Sequence, residues 1–112
     1  MRSRQEIVRD LALFQQDLSS LTTELNQYPW DCPTALYEIN RHDLASVIRR
    51  CLVDEVTLQN LEDWANKVEC RDDLSYSSSH LEEIVLELAN PVVFGPLTKT
   101  SLLATYERVL NG

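Results

Sequence analysis

The sequence predicts an all-α protein, a compact single-domain bundle of about five helices covering residues 1–112, and three observations predict it. The chain has 2 Gly and 4 Pro in 112 residues, whereas an all-β domain would need a turn about every ten residues, usually built from those types. Its apolar residues recur at spacings of three and four, the period of one helix face. Apolar residues are 44% and charged residues 25% of the total, close to the average for folded globular chains and sufficient for one core rather than two.

The first element is the longest. Ile7, Leu11, Phe14, Leu18, Leu21 and Leu25 form one stripe, which predicts a continuous helix over residues 3–27. Ser3 followed by Glu6 reads as a capping box at its start, and Tyr28-Pro29 ends it because proline pushes the preceding residue out of the α region. The stripe spans barely three heptads, so packing within one bundle is favoured over a dimer zipper. Next, "YPWDCPTALYEINRH" at 28–42 reads as an ordered connector with one helical turn from Thr34 to Ile39.

Four more helices follow. Asp43 is the expected N-cap of one with Leu44, Val47, Ile48, Cys51 and Leu52 inward. Thr57 caps the next, whose inward positions are Leu58, Leu61, Trp64, Ala65 and Val68. Ser79 with Glu82 makes a capping box for a helix burying Leu81, Ile84, Val85 and Leu88, closed by Asn90-Pro91. After "NPVVFGP", Thr98 caps a last helix with Leu102, Leu103, Tyr106, Val109 and Leu110 inward and Gly112 as its C-terminal cap. No internal repeat or low-complexity tract is visible.

Several chemistries lack their signatures. Cys32, Cys51 and Cys70 are odd in number, and the amino terminus RSRQEIVRD has no apolar export segment, so free thiols in a cytoplasmic protein are expected rather than a disulfide framework. No apolar run approaches the ~18 residues that span a bilayer, and no membrane partner is expected. His42 and His80 lie far apart and no CxxC or HxxxH pair exists, which disfavours zinc. Asp72-Asp73 has no neighbouring glycine to make a calcium loop. No metal or other cofactor is expected. There is no phosphate loop and no GxSxG, and His80 at a helix start reads as a polar first-turn residue rather than a phosphotransfer histidine.

The charge map is more informative. The formal net charge is −8, and it is concentrated: residues 54–87 hold ten acids against Lys67 and Arg71, while the remaining 78 residues balance at eight and eight. Direct nucleic-acid binding is disfavoured, since phosphate contacts need bases and Arg49-Arg50 is too short a cluster. Acids near a helix C-terminus oppose its dipole, so helix stability does not account for Glu69, Asp72 and Asp73. Solvation of a soluble surface would account for them. So would an electrostatic docking face for a cationic protein, comprising Asp54, Glu55, Glu62, Asp63, Glu69, Asp72 and Asp73, with Tyr76 as its aromatic anchor. General acid/base catalysis would need a cleft that desolvates one carboxylate, which outward helical positions do not supply; an enzyme is not expected. The alternative to the acidic face is a helical adaptor that binds another protein through apolar anchors such as Tyr28, Trp30 and Phe94.

"LEDWANKVECRDDL" at 61–74, "LEEIVLELANP" at 81–91 and "GPLT" at 95–98, in this order, resemble the small helical immunity proteins of bacterial contact-dependent growth inhibition and related polymorphic toxin systems. The resemblance extends over residues 43–110. It implies a non-enzymatic protein, monomeric before binding, that neutralises a cognate basic toxin domain, a nuclease, inside the producing cell by occluding its active site. Glu62, Asp63, Glu69, Asp72 and Asp73 would then be the foremost contacts.

Overall fold

A computed structural model describes residues 3–15, 17–28, 35–69, 71 and 73–111, with Phe94 described by its backbone. The expectations on Trp30, Cys32, Cys70, Asp72, the Phe94 side chain and Gly112 lie outside the described residues. Helices dominate: α1 (Arg4–Leu13), α2 (Leu18–Leu25), α3 (Arg41–Leu52), α4 (Leu58–Glu69), α5 (Ser79–Ala89), the single turn α6 (Pro91–Phe94) and α7 (Lys99–Asn111). Two short strands, β1 (Tyr37–Ile39) and β2 (Leu74–Tyr76), accompany them. The helical class is as expected, while the count among the described residues is seven rather than five.

The first difference lies in the leading stripe, which is two helices. Phe14 takes left-handed backbone angles (φ 52°, ψ 47°), and the amides of Gln15 and Phe14 donate back to the carbonyls of Asp10 and Leu11 at 3.0 and 3.1 Å. That pair of bonds is a Schellman ending, normally made by glycine. Side chains from elsewhere reinforce this ending: Trp64 Nε1 gives Leu11 O a second hydrogen bond at 2.7 Å, and Arg50 Nη1 donates to Phe14 O at 2.6 Å. The Phe14 ring lies parallel to Trp64, centroids 6.3 Å apart, with the Arg50 guanidinium 5.5 Å from its centre. Asp17 then restarts the helix by accepting from Ser19 N at 2.9 Å. The stripe survives the break because both halves pack on the same core.

The connector differs too. Residues 37–39 form a strand, not a helical turn, pairing in parallel with 74–76 in the register Tyr37–Leu74, Glu38–Ser75 and Ile39–Tyr76. Parallel strands need a long crossover, and α3 with α4 supplies it. Ile39 is fully buried and Tyr37 Oη donates to Asp43 Oδ2 at 2.7 Å. Burial, reinforced by that carboxylate, pushes the Tyr37 hydroxyl up to about 12.

Two caps are shifted from their expected positions. Asn40, not Asp43, caps α3; Asp43 is the third residue of a reciprocal capping box, accepting from Asn40 N while Asn40 Oδ1 accepts from Asp43 N at 2.9 Å. Ser78, not Ser79, caps α5, its Oγ accepting from Leu81 N. Thr57 and Thr98 cap α4 and α7 as expected, each hydroxyl 3.0 Å from the amide it accepts.

The described buried apolar residues form one cluster, which includes the fully buried Trp64 and draws on α1 to α5 and α7. The expected inward positions of α3, α4 and α5 are buried, with Leu52 and Leu58 partly so. On α7 the expectation holds for Leu102 and Val109 but not for Leu103 and Leu110, which are 51% and 45% exposed. That helix lies at the margin of the bundle against α3 and buries only a narrow line. Gly95 ends α6 at φ 108°, a region that side chains rarely adopt.

Candidate functional site

The expected acidic face does not fold into one surface. Asp73 is the clearest correction: expected on an outward face, it is 1% exposed. Arg71 binds it bidentately, Nε to Oδ1 at 2.8 Å and Nη2 to Oδ2 at 2.7 Å. Arg4 of α1 adds a third bond at 3.1 Å. Burial pushes the Asp73 carboxyl up, but the hydrogen bonds and charges of Arg71 and Arg4 outweigh it and hold the group below the usual carboxylate range. Its backbone carbonyl also accepts from Leu36 N at 2.8 Å. Asp73 is thus a knot joining the first helix, the entry to β1 and the start of β2.

Asp54 and Glu55 lie at the turn between α3 and α4, where each has a cationic partner. Lys99 Nζ meets Asp54 Oδ1 at 2.5 Å and the Cys51 carbonyl at 2.5 Å, so it caps the C-terminal end of α3 from α7. Asp54 itself holds left-handed angles (φ 65°), and Glu55 N donates to Arg50 O at 2.8 Å, repeating the ending seen at Phe14. Arg50 Nε reaches Glu55 Oε2 at 3.3 Å. Both acids are exposed, so they contribute to the surface potential while serving the turn.

On α4 the carboxylates diverge. Glu62 is half-buried. Asp63 faces a shallow groove shared with Leu18, Thr22 and Lys67 and accepts from Gln59 Nε2 at 3.0 Å. Lys67, four residues on, gives that groove mixed charge.

Glu69 turns the other way, and here the residues converge. It is the last residue of α4, exposed at the mouth of a cleft of about 290 Å³ whose other walls are Tyr76, Ser79, Glu82, Glu83 and Leu86. Positions 79, 82, 83 and 86 fall on one stripe of α5, immediately beside the inward stripe of Leu81, Ile84, Val85 and Leu88. The close packing of α4 on α5 therefore fixes the distance between Glu69 and the two α5 carboxylates. Tyr76 enters because the ladder with β1 ends β2 at that residue, and it is half-buried against the core. Leu86 is 38% exposed and gives the cleft an apolar end.

The arrangement suits a cation. Three carboxylates at one concavity, with an aromatic ring and a leucine beside them, offer charge to a guanidinium or ammonium head and apolar contact to its stem. Glu82 and Glu83 lie in the first turns of α5, where the helix dipole favours acids. Only the packing of α4 against α5 shows that they face Glu69. Among the described residues, no group of histidine, cysteine and carboxylate side chains is disposed to hold a metal, and no helix is long and apolar enough to cross a membrane.

In comparisons with known proteins, no family model matches the chain, and no curated protein and no solved structure matches it. The resemblance to immunity proteins therefore rests on the sequence motifs alone.

Proposed function

We propose that this protein is an immunity-type inhibitor: it acts in the cytoplasm, binds a cognate cationic toxin domain and covers its active site without catalysing a reaction. The observation that carries the reading is the cleft of Glu69, Glu82 and Glu83 with Tyr76 and Leu86. A nuclease must present bases where it meets phosphate, and an acidic concavity can take one of those bases while the surrounding surface excludes the substrate. Helix stability accounts for Glu82 and Glu83 at the start of α5 but not for Glu69, which sits at the unfavourable end of α4. The exposed carboxylates of Asp54, Glu55 and Asp63 extend the negative field and would hasten encounter.

The test uses a partner captured from the source cell at low salt and identified by mass. Neutralising the cleft as Glu69→Gln, Glu82→Gln and Glu83→Gln together should slow association on the order of tenfold at low salt and far less at high salt. Thermal stability should change little. An unchanged association rate would sink the cleft assignment, and a captured partner with a neutral surface would sink the inhibitor reading.

A second reading, an adaptor with apolar anchors, is favoured by one observation: Val92 and Val93 on α6 are 98% and 76% exposed. In that case Val92→Ser with Val93→Ser would abolish capture and salt would matter little.

A further inference from the structure

A second concavity lies away from the acids and has the opposite character. It measures about 680 Å³ and runs between α3 from Arg41 to Arg49, the loop entering α5 and the second half of α7. Although the chain carries a net charge of −8, no Asp or Glu is among the described residues that line it; Arg41, His42 and Arg49 are.

The geometry follows from helix periodicity. Arg41, Ala45 and Arg49 recur every four residues along one line of α3, with His42 and Ser46 on the adjoining line. The small residues Ala45 and Ser46 leave a floor between the two guanidinium groups, whose Cα atoms are about 12 Å apart along the axis. That separation lets two long side chains close on one phosphoryl group from either end. Ser77 and Ser78 add hydroxyls at the mouth. The facing wall is apolar: Tyr106 and Leu110, one turn apart on α7, with Leu81 below. Leu110 is 45% exposed because α7 buries only its narrow inner line.

Arg49 and Arg50 are adjacent in sequence but have different tasks. Arg50 is committed to the end of α1 and to Glu55, while Arg49 is exposed and lines the groove. Guanidinium groups match phosphate oxygens in planar, paired bonds, and a volume of this size lies within the range of small-molecule sites. We propose that this groove binds a small phosphate ester with an aromatic or apolar body, its phosphate held between Arg41 and Arg49 and its body laid against Tyr106 and Leu110. The proposal is independent of the inhibitor reading and of the acidic cleft.

The experiment is a nuclear magnetic resonance titration of the full chain with phenyl phosphate, with inorganic phosphate, benzoate and phenol as comparisons. Phenyl phosphate should produce saturable shifts confined to α3, residues 77–81 and the second half of α7. Arg49→Gln, an exposed position whose loss leaves the fold intact, should weaken it roughly tenfold or more. Tyr106→Ala should weaken phenyl phosphate while leaving inorganic phosphate unchanged. The proposal is overturned if no saturation is reached in the millimolar range, if Arg49→Gln binds as the parent does, or if benzoate binds as tightly as phenyl phosphate. It is equally overturned if polyglutamate displaces phenyl phosphate from the same residues at lower concentration, which would assign the groove to an acidic protein segment.

Discussion

At the scale of single residues, the same side-chain type takes opposite roles according to what surrounds it. Asp73 and Glu69 are both acids near the end of α4, yet one is 1% exposed between two arginines and the other stands at the mouth of an acidic cleft. Removing one member of a buried ion pair leaves an uncompensated charge, which costs about 3–5 kcal/mol. Asp73→Asn is therefore expected to destabilise the fold by about that much in urea unfolding, whereas Glu69→Gln should change it by less than about 0.5 kcal/mol. Equal effects would mean that Asp73 is not the knot it looks to be. Phe14 is a second such residue: its ring stacks on Trp64 and it is 7% exposed. Phe14→Ala should cost about 3–5 kcal/mol, and a change within about 0.5 kcal/mol would remove the packing account of the α1 ending. Neither role is legible locally, because "RDDL" does not say which aspartate turns inward and "LALFQQDL" reads as unbroken helix.

At the scale of elements, the chain specifies starts better than stops. N-caps are made by the side chain nearest the first turn, so Ser3, Thr57 and Thr98 are legible directly, and Ser78 and Asn40 are missed only because neighbouring cap formers compete with them. The competition can be measured. Ser78→Ala should cost about 1 kcal/mol and Ser79→Ala almost nothing; the reverse order in thermal unfolding would return the cap to Ser79. Stops are different because side chains from distant elements satisfy the last carbonyls. Arg50 of α3 and Trp64 of α4 cap α1, Lys99 of α7 caps α3, and His80 of α5 lies 3.0 Å from the Arg108 carbonyl of α7. With so few glycines, Phe14 and Asp54 take the left-handed positions, at a strain that these long-range bonds offset. The strands are hidden for a similar reason: three residues make too short a run to read, and each has its partner more than thirty residues away.

At the scale of the whole molecule, charge is sorted by packing. The acidic segment splits into the cleft at α4 and α5, paired carboxylates at the α3–α4 turn and one interior aspartate, while the basic residues of α3 divide between the core side and the opposite groove. Two of the carboxylates carry an acid-stability signature. Asp73 is held below its ordinary value by Arg71 and Arg4 against the effect of burial, and Glu87 by its hydrogen bonds to Arg108. A depressed carboxylate stabilises the fold above the unfolded-state pKa, about 4, and loses that contribution as pH falls through the folded value. Urea midpoints should thus fall as pH drops below about 4, and Asp73→Asn should flatten that limb. A parent curve that stays level in acid would contradict the sign.

By itself the sequence determined the helical class, the inward stripes of α3, α4 and α5, three of the caps and the concentration of acid between residues 54 and 87. These depend on periodicity and nearest-neighbour hydrogen bonding, which act over a few residues and so are written in the chain locally. Tertiary structure alone decided the break at Phe14, the parallel ladder, the burial of Asp73, the meeting of Glu69 with Glu82 and Glu83, and the basic groove along α3. Each depends on groups far apart in the chain being brought within a few ångströms, where desolvation and paired charges outweigh local preference.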